Sequence, residues 1–161
     1  MARRKLIAVI DVGSNALTMK IAQAGENGKP QVIDTVRGNL ALGIDTYNKL
    51  IISDESLRIL IEHLKGFKEK LKEYKVENYR IVATSAVREA ENRDYLLSQV
   101  RHASGFEIEI LSNSEERYYH HLSLSEVFPK FTELIEEGTI VLDMGAGSIQ
   151  ISTYDKGTAV F

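Results

Sequence analysis

Two short stretches of this chain carry residues suited to holding a phosphate. In Ile7-Ala8-Val9-Ile10-Asp11-Val12-Gly13-Ser14-Asn15 an apolar run, too continuous for a surface strand, passes into an aspartate and then a tight turn. Gly13 lets the backbone approach an anion closely. The Ser14 hydroxyl and nearby N–H groups can donate to its oxygens, and Asp11 can hold Mg²⁺ or a metal-bound water. An ordinary turn has the same composition, so this stretch alone leaves both readings open. The second stretch, Ile140-Val141-Leu142-Asp143-Met144-Gly145-Ala146-Gly147-Ser148-Ile149-Gln150-Ile151, repeats the design of apolar strand, aspartate, glycine, small residue and serine. Two strands ending in Asp-x-Gly, far apart in one chain, predict two similar lobes facing each other across a phosphate-binding cleft.

Composition bounds what surrounds these turns. With 161 residues, 43% of them hydrophobic, the chain can bury a sizeable core and is expected to form one domain and part of another. There is no cysteine, which excludes disulfides and thiolate metal sites and suits a reducing cytoplasm. The net charge of −3 argues against a broad nucleic-acid surface, so a polyanion must be held locally. No apolar run reaches membrane length, and the basic start Met1 to Lys5 reads as the lead into a strand. His63, His102, His120 and His121 form no metal pattern and read as surface or helix-end residues.

The elements that position the turns follow from periodicity. A strand over about 5–12, a second over Leu17 to Gln23 and a third over Gln31 to Arg37 make an antiparallel meander, with a hairpin turn at Gly25 to Pro30. Gly38 to Lys49 has no clear period and reads as a loop. From Ser53 the spacing changes: Leu57, Leu60, Ile61, Leu64, Phe67, Leu71 and Tyr74 recur at three and four, with Ser53 as N-cap. Tyr79 to Ala83 is a short strand turning into a helix start at Thr84. A helix from Asn92 with Tyr95, Leu96 and Val100 inward ends at Ser104-Gly105. Phe106 to Leu111 alternates as a strand, a helix runs from Ser112 to about Phe128, and the repeat strand is followed by a strand over Ile149 to Tyr154, a turn at Asp155 to Gly157, and a further strand to Phe161. The expected fold is α/β, a mixed sheet flanked by helices, with a second lobe begun.

Four segments together, Asp11 to Asn15, Ala83-Thr84-Ser85-Ala86-Val87-Arg88-Glu89-Ala90-Glu91-Asn92, Ser112 to Glu116, and Asp143 to Ser148, closely resemble the exopolyphosphatase and guanosine pentaphosphate phosphohydrolase family. That resemblance runs through the whole chain in order. It implies a ribonuclease H-like lobe of the actin, sugar kinase and Hsp70 superfamily with a mixed five-stranded sheet over 1–112, then a linker helix and the first strands of an incomplete second lobe over 113–161. It also implies roles. Asp11 and Asp143 would orient Mg²⁺, and Gly13, Ser14, Asn15, Gly145, Ala146, Gly147 and Ser148 would bind phosphate. Thr84 and Ser85 would face phosphate as well, and Arg88 would neutralise its oxygens. Glu116 matches the general base that activates the attacking water. The implied substrates are inorganic polyphosphate or guanosine pentaphosphate, and a homodimer is hinted at.

Each role has a plainer rival. Glu116, three residues after Asn113, would close a capping box; Arg88 would pair with Glu89 or Glu91; Thr84 and Ser85 would be N-caps. An actin-like ATPase or acetate-kinase relative shares the aspartate turns but leaves Thr84 to Asn92 unexplained. The chain also departs from the family pattern. Gln150 stands where the family usually has glutamate in the metal site, Ala146 replaces a glycine, Asn113 replaces a glycine, and Ala41 stands where many members carry arginine. Ala146 is tolerable with φ negative. Gln150 supplies no charge, so Mg²⁺ binding should weaken, which leaves a polyphosphate- or alarmone-binding regulatory module as the alternative. Because family members have a complete second lobe, the chain reads as an N-terminal portion with little or no turnover of its own.

Overall fold

A computed structural model describes residues 5–25 and 29–160. The start of the basic lead (1–4), the tip of the first hairpin turn (26–28) and Phe161 lie outside the described residues. The chain divides into two compact units, Met1–Ile110 and Leu111–Phe161.

The first unit is built on a five-stranded mixed sheet. Strands β1 (Leu6–Val12), β2 (Ala16–Ala24) and β3 (Pro30–Asn39) form the antiparallel meander, and β4 (Asn78–Ala83) and β5 (Glu109–Ile110) add on parallel to β1, giving the order β3-β2-β1-β4-β5. Alternate residues of β1 and β2, among them Ala8, Ile10, Val12, Leu17, Met19 and Ile21, enter one core. Helix α2 (Asp54–Tyr74) covers that face with Leu57, Leu60, Leu64, Phe67 and Leu71. The Ser53 hydroxyl accepts from Ser56 N at 3.2 Å, and Lys75 ends the helix in the left-handed region.

Four expectations for this unit need correction. The segment read as a loop holds the end of β3 and helix α1 (Leu42–Lys49). Its buried residues are Leu42, Gly43 and Thr46, so no apolar period betrays it. In α4 (Arg93–Ser104) Leu96 and Val100 are buried, but Tyr95 is exposed; the inward third position falls on Ser104, whose hydroxyl donates to Val100 O at 2.7 Å. The strand expected over Phe106 to Leu111 pairs only at Glu109–Ile110. His63 is not a plain surface residue either: its ring lies under Gly38, where a Cβ would come within 2.9 Å of it, and His63 Nε2 is 3.1 Å from Asn39 O.

The second unit opens with α5 (Asn113–Val127), followed by α6 (Phe131–Glu136), a helix the sequence reading did not assign. Strands β6 (Thr139–Met144), β7 (Ile149–Asp155) and β8 (Thr158–Val160) form an antiparallel sheet in that order. Its small core joins Phe131, Ile135 and Tyr154, with Leu124 and Val141 packed against them. His121 belongs here, stacked on Tyr154 with ring centroids 5.6 Å apart, so it is a packing residue rather than a surface one.

Candidate functional site

In the first unit the parallel pairing of Val12 with Ala83 brings two chain exits to one end of the sheet. Beyond Val12 comes the Gly13–Asn15 turn; beyond Ala83 come Thr84 and the short helix α3 (Ser85–Glu89). The carboxyl ends of adjacent parallel strands are where open α/β sheets receive ligands. Gly13 N donates to Ala16 O at 3.0 Å to close the turn, and a Cβ on Gly13 would sit 3.1 Å from that same oxygen. Asp11 is exposed at the end of β1, opposite Thr18 and Val82.

The turn is held from the side by α1 and by the residues that link it to β3. Leu40 N donates to Asn15 O at 3.0 Å and Gly43 N to Ser14 O at 2.9 Å. Thr46 Oγ1 donates to Ala86 O at 2.9 Å, tying α1 to α3 as well. Ser14 and Ser85 are both buried and their hydroxyls meet at 3.2 Å, with Tyr47 OH at 2.9 Å from Ser85 Oγ and 3.3 Å from Ser14 Oγ. Tyr47 escaped the sequence reading because its segment shows no period. Thr84 holds the N-cap position of α3 without a side-chain capping bond, and Ser85, inside the helix, bonds to Ser14 and Tyr47. Arg88 pairs with Glu89 at 3.3 Å, as its rival reading allowed, yet its side chain is only 13% exposed, unlike an ordinary surface arginine.

In the second unit the repeat turn is built on the same plan. Gly145 N donates to Ser148 O at 2.9 Å, matching the Gly13 to Ala16 bond, and Asp143 faces Gln150 across the strands as Asp11 faces Thr18. By this register Ala146 corresponds to Ser14 and Ser148 to Ala16, so the two serines are not equivalent. Ala146 has no positive φ, as its methyl group requires. His120 Nδ1 lies 2.6 Å from Asp143 Oδ2, close enough for an ion pair but not aligned as a hydrogen bond. His120 is thus a surface residue, its side chain 40% exposed, that also meets the aspartate of the turn. A cavity of about 240 Å³ between α5 and the sheet is lined by Arg117, His120, Asp143, Gln150 and Ser152, and both amide atoms of Gln150 are buried there with no hydrogen-bond partner among the described residues.

Glu116 is buried on the first turn of α5. The capping box is one residue earlier than expected: Ser112 Oγ accepts from Glu115 N at 3.2 Å, and Ser112 N donates to Glu115 Oε2 at 2.9 Å. Strand exit at Leu111 leaves Ser112 extended (φ −66°, ψ 162°), the conformation an N-cap needs, so Glu115 takes the structural role that would have explained Glu116 away. His120 follows Glu116 by four residues on one helix face, the one signal in the sequence that could have found it.

The family model of the Ppx/GppA phosphatases matches residues 21–161. The chain belongs to the Ppx/GppA phosphatase family. Among solved structures it is similar to the Aquifex aeolicus Ppx/GppA family member, with a TM-score of 0.79 and 26% identity over 99% of this chain and 50% of that one. An exopolyphosphatase from Cytophaga hutchinsonii shares the fold at a TM-score of 0.85 and 22% identity, over 98% of this chain and 49% of that one. A curated relative, the guanosine-5'-triphosphate,3'-diphosphate pyrophosphatase of Pseudoalteromonas atlantica, is 26% identical over 91% of this chain and 28% of its own length. The chain thus spans about half the length of the structural relatives and about a quarter of the curated one. The five-stranded mixed sheet with its flanking helices is the Ppx/GppA lobe that the motifs implied. Of the Ppx/GppA motif residues, Asp11, Gly13, Ser14, Asn15, Thr84, Ser85 and Arg88 lie in the first unit; Glu116, Asp143, Gly145, Ala146, Gly147, Ser148 and Gln150 lie in the second. Among the described residues no helix is long and apolar enough to cross a membrane.

Proposed function

We propose that this chain forms the first phosphate-binding lobe, and the opening of the second, of a Mg²⁺-dependent exopolyphosphatase that releases terminal orthophosphate from inorganic polyphosphate or guanosine pentaphosphate in the cytoplasm. The observation that carries this reading is the Val12–Ala83 pairing, which sets the Gly13–Asn15 turn beside Thr84, Ser85 and the largely buried Arg88. Backbone N–H groups and hydroxyls at the turn would hold phosphate oxygens, and Arg88 would neutralise them. Glu116 would take the proton of the attacking water as the terminal phosphoanhydride bond breaks and orthophosphate leaves.

The donor set suits a hydrated magnesium ion. No three carboxylates or imidazoles cluster as a metal cage among the described residues, and Asp11 and Asp143 each reach solvent at a strand end. Mg²⁺ keeps several waters and needs only one or two carboxylates, so the aspartate of a single turn, Asp11 or Asp143, would suffice to hold it, and when bound it would offset phosphate charge.

The test is orthophosphate release from long-chain polyphosphate with Mg²⁺ by this chain, by a form extended through a complete second lobe, and by that form carrying Glu116→Gln. The expected result is little turnover from the 161 residues, activity in the extended form, and a loss of about 10² or more in the variant. The partnerless Gln150 amide favours a second reading, a polyphosphate- or alarmone-binding regulatory module. Binding without release by the extended form, with turnover restored by Gln150→Glu, would put that reading first.

A further inference from the structure

Tyr47 belongs to none of the motifs that mark the family, yet its phenol closes a triangle with Ser14 of the turn and Ser85 of α3. Tyr47 OH donates to Ser85 Oγ at 2.9 Å, while Ser14 Oγ stands 3.2 Å from Ser85 Oγ and 3.3 Å from Tyr47 OH. The serines are 8% and 5% exposed, whereas Tyr47 is 44% exposed. A phenol is the most acidic of three such hydroxyls and the strongest donor. Its hydrogen occupies one acceptor position on Ser85, which leaves the Ser85 hydrogen to be directed elsewhere. The two contacts of Ser14 are long for O–H···O bonds, so its hydrogen is the least firmly held of the three.

The tyrosine is itself fixed. It lies one helical turn after Gly43, whose N–H holds Ser14 O at 2.9 Å and where a Cβ would come within 3.0 Å of Ser14 Cβ and 3.1 Å of the Tyr47 ring. Helix α1 therefore meets the turn through its backbone at Gly43 and through a hydroxyl at Tyr47.

We propose that Tyr47 is a positioning residue for phosphate binding: by donating to Ser85 it orients the Ser14 and Ser85 hydrogens toward the oxygens of an entering polyphosphate chain. The inference rests on the phosphate-site reading above. It is tested by calorimetric titration of the 161-residue chain with tripolyphosphate, comparing wild type, Ser14→Ala, Ser85→Ala, Tyr47→Phe and the Tyr47→Phe/Ser85→Ala double variant, with thermal midpoints for each. Tyr47→Phe keeps the ring and should lower the midpoint by no more than the loss of one hydrogen bond, while weakening tripolyphosphate by about three- to tenfold. That loss should vanish in the Ser85→Ala background. If Ser85→Ala weakens binding and Tyr47→Phe does not, or if the tyrosine effect is undiminished without Ser85, the positioning role is overturned and the phosphate site stands. If tripolyphosphate does not bind, or binds regardless of Ser14 and Ser85, the phosphate-site reading falls and the role of Tyr47 with it.

Discussion

In the first Asp-x-Gly turn Gly13 N bonds to Ala16 O at 3.0 Å, and in the second Gly145 N bonds to Ser148 O at 2.9 Å. Around that shared bond the two sites differ. The first turn is clamped by Leu40 N, just after β3, and by Gly43 N of α1, and Ser14 is buried against Ser85 and Tyr47. At the second turn Gly145 and Ala146 are exposed. The sheets differ in the same direction. Residues of β1 and β2 fill a large core, whereas one face of the β6–β8 sheet leaves Ile140, Leu142, Met144, Ile149 and Ile151 each at least 60% exposed. The aspartate, the glycine and the strand register make the turn, and neighbouring elements make it rigid.

Five substitutions probe this contrast, beginning with the sheets. Leu17, fully buried just after the first turn, should cost about 2–5 kcal/mol as Leu17→Ala through lost burial and a cavity. Ile151→Ala on the open face should change stability by no more than about 0.5 kcal/mol. Urea unfolding midpoints measure both; equal costs would break the comparison.

A smaller effect is expected at the glycines. Gly43→Ala places a methyl group 3.0 Å from Ser14 Cβ and 3.1 Å from the Tyr47 ring, an overpacking worth about 1–3 kcal/mol. At Gly145 the nearest atom to an added Cβ is Ser148 O at 3.7 Å, so Gly145→Ala should stay within about 0.5 kcal/mol. Matching thermal shifts for the two would mean that α1 does not clamp the first turn.

The smallest effect concerns what holds the clamp. Asp45 on α1 accepts from Ser53 N at 3.0 Å and from Ser53 Oγ at 2.6 Å, tying α1 to the start of α2. Burial opposes its charge, but the Ser53 and Ser56 hydroxyls, the Ser53 N–H and Lys49 outweigh it and hold the carboxyl below its ordinary value. Since the fold favours the charged form, this contribution is full above the ordinary carboxylate range and fades as pH falls through it and below. Asp45→Asn should therefore cost about 1 kcal/mol at neutral pH, and its gap from wild type should be smaller at about pH 3, below the ordinary carboxylate value. Paired urea titrations at the two pH values check the sign.

Much of the fold was legible because its signals are local. The meander, the Ser53-capped α2 and the paired aspartate turns all follow from periods and caps spanning a few residues. Where the reading missed, the information lay elsewhere in the chain. Helix α1 buries a glycine and a threonine, which no hydrophobic period records. The helix face shared by Glu116 and His120 was readable, but that His120 meets Asp143 depends on how α5 lies on the β6–β7 strands. By itself the sequence determined where the two turns form and which aspartates and glycines they carry, since a strand ending in Asp-x-Gly needs only its own residues, and the Thr84 to Asn92 segment marked the family. Only the tertiary structure decided that Tyr47 meets Ser14 and Ser85, 33 and 71 positions being spanned by the Ser14 contacts, because strand register and helix docking set which distant hydroxyls share a space.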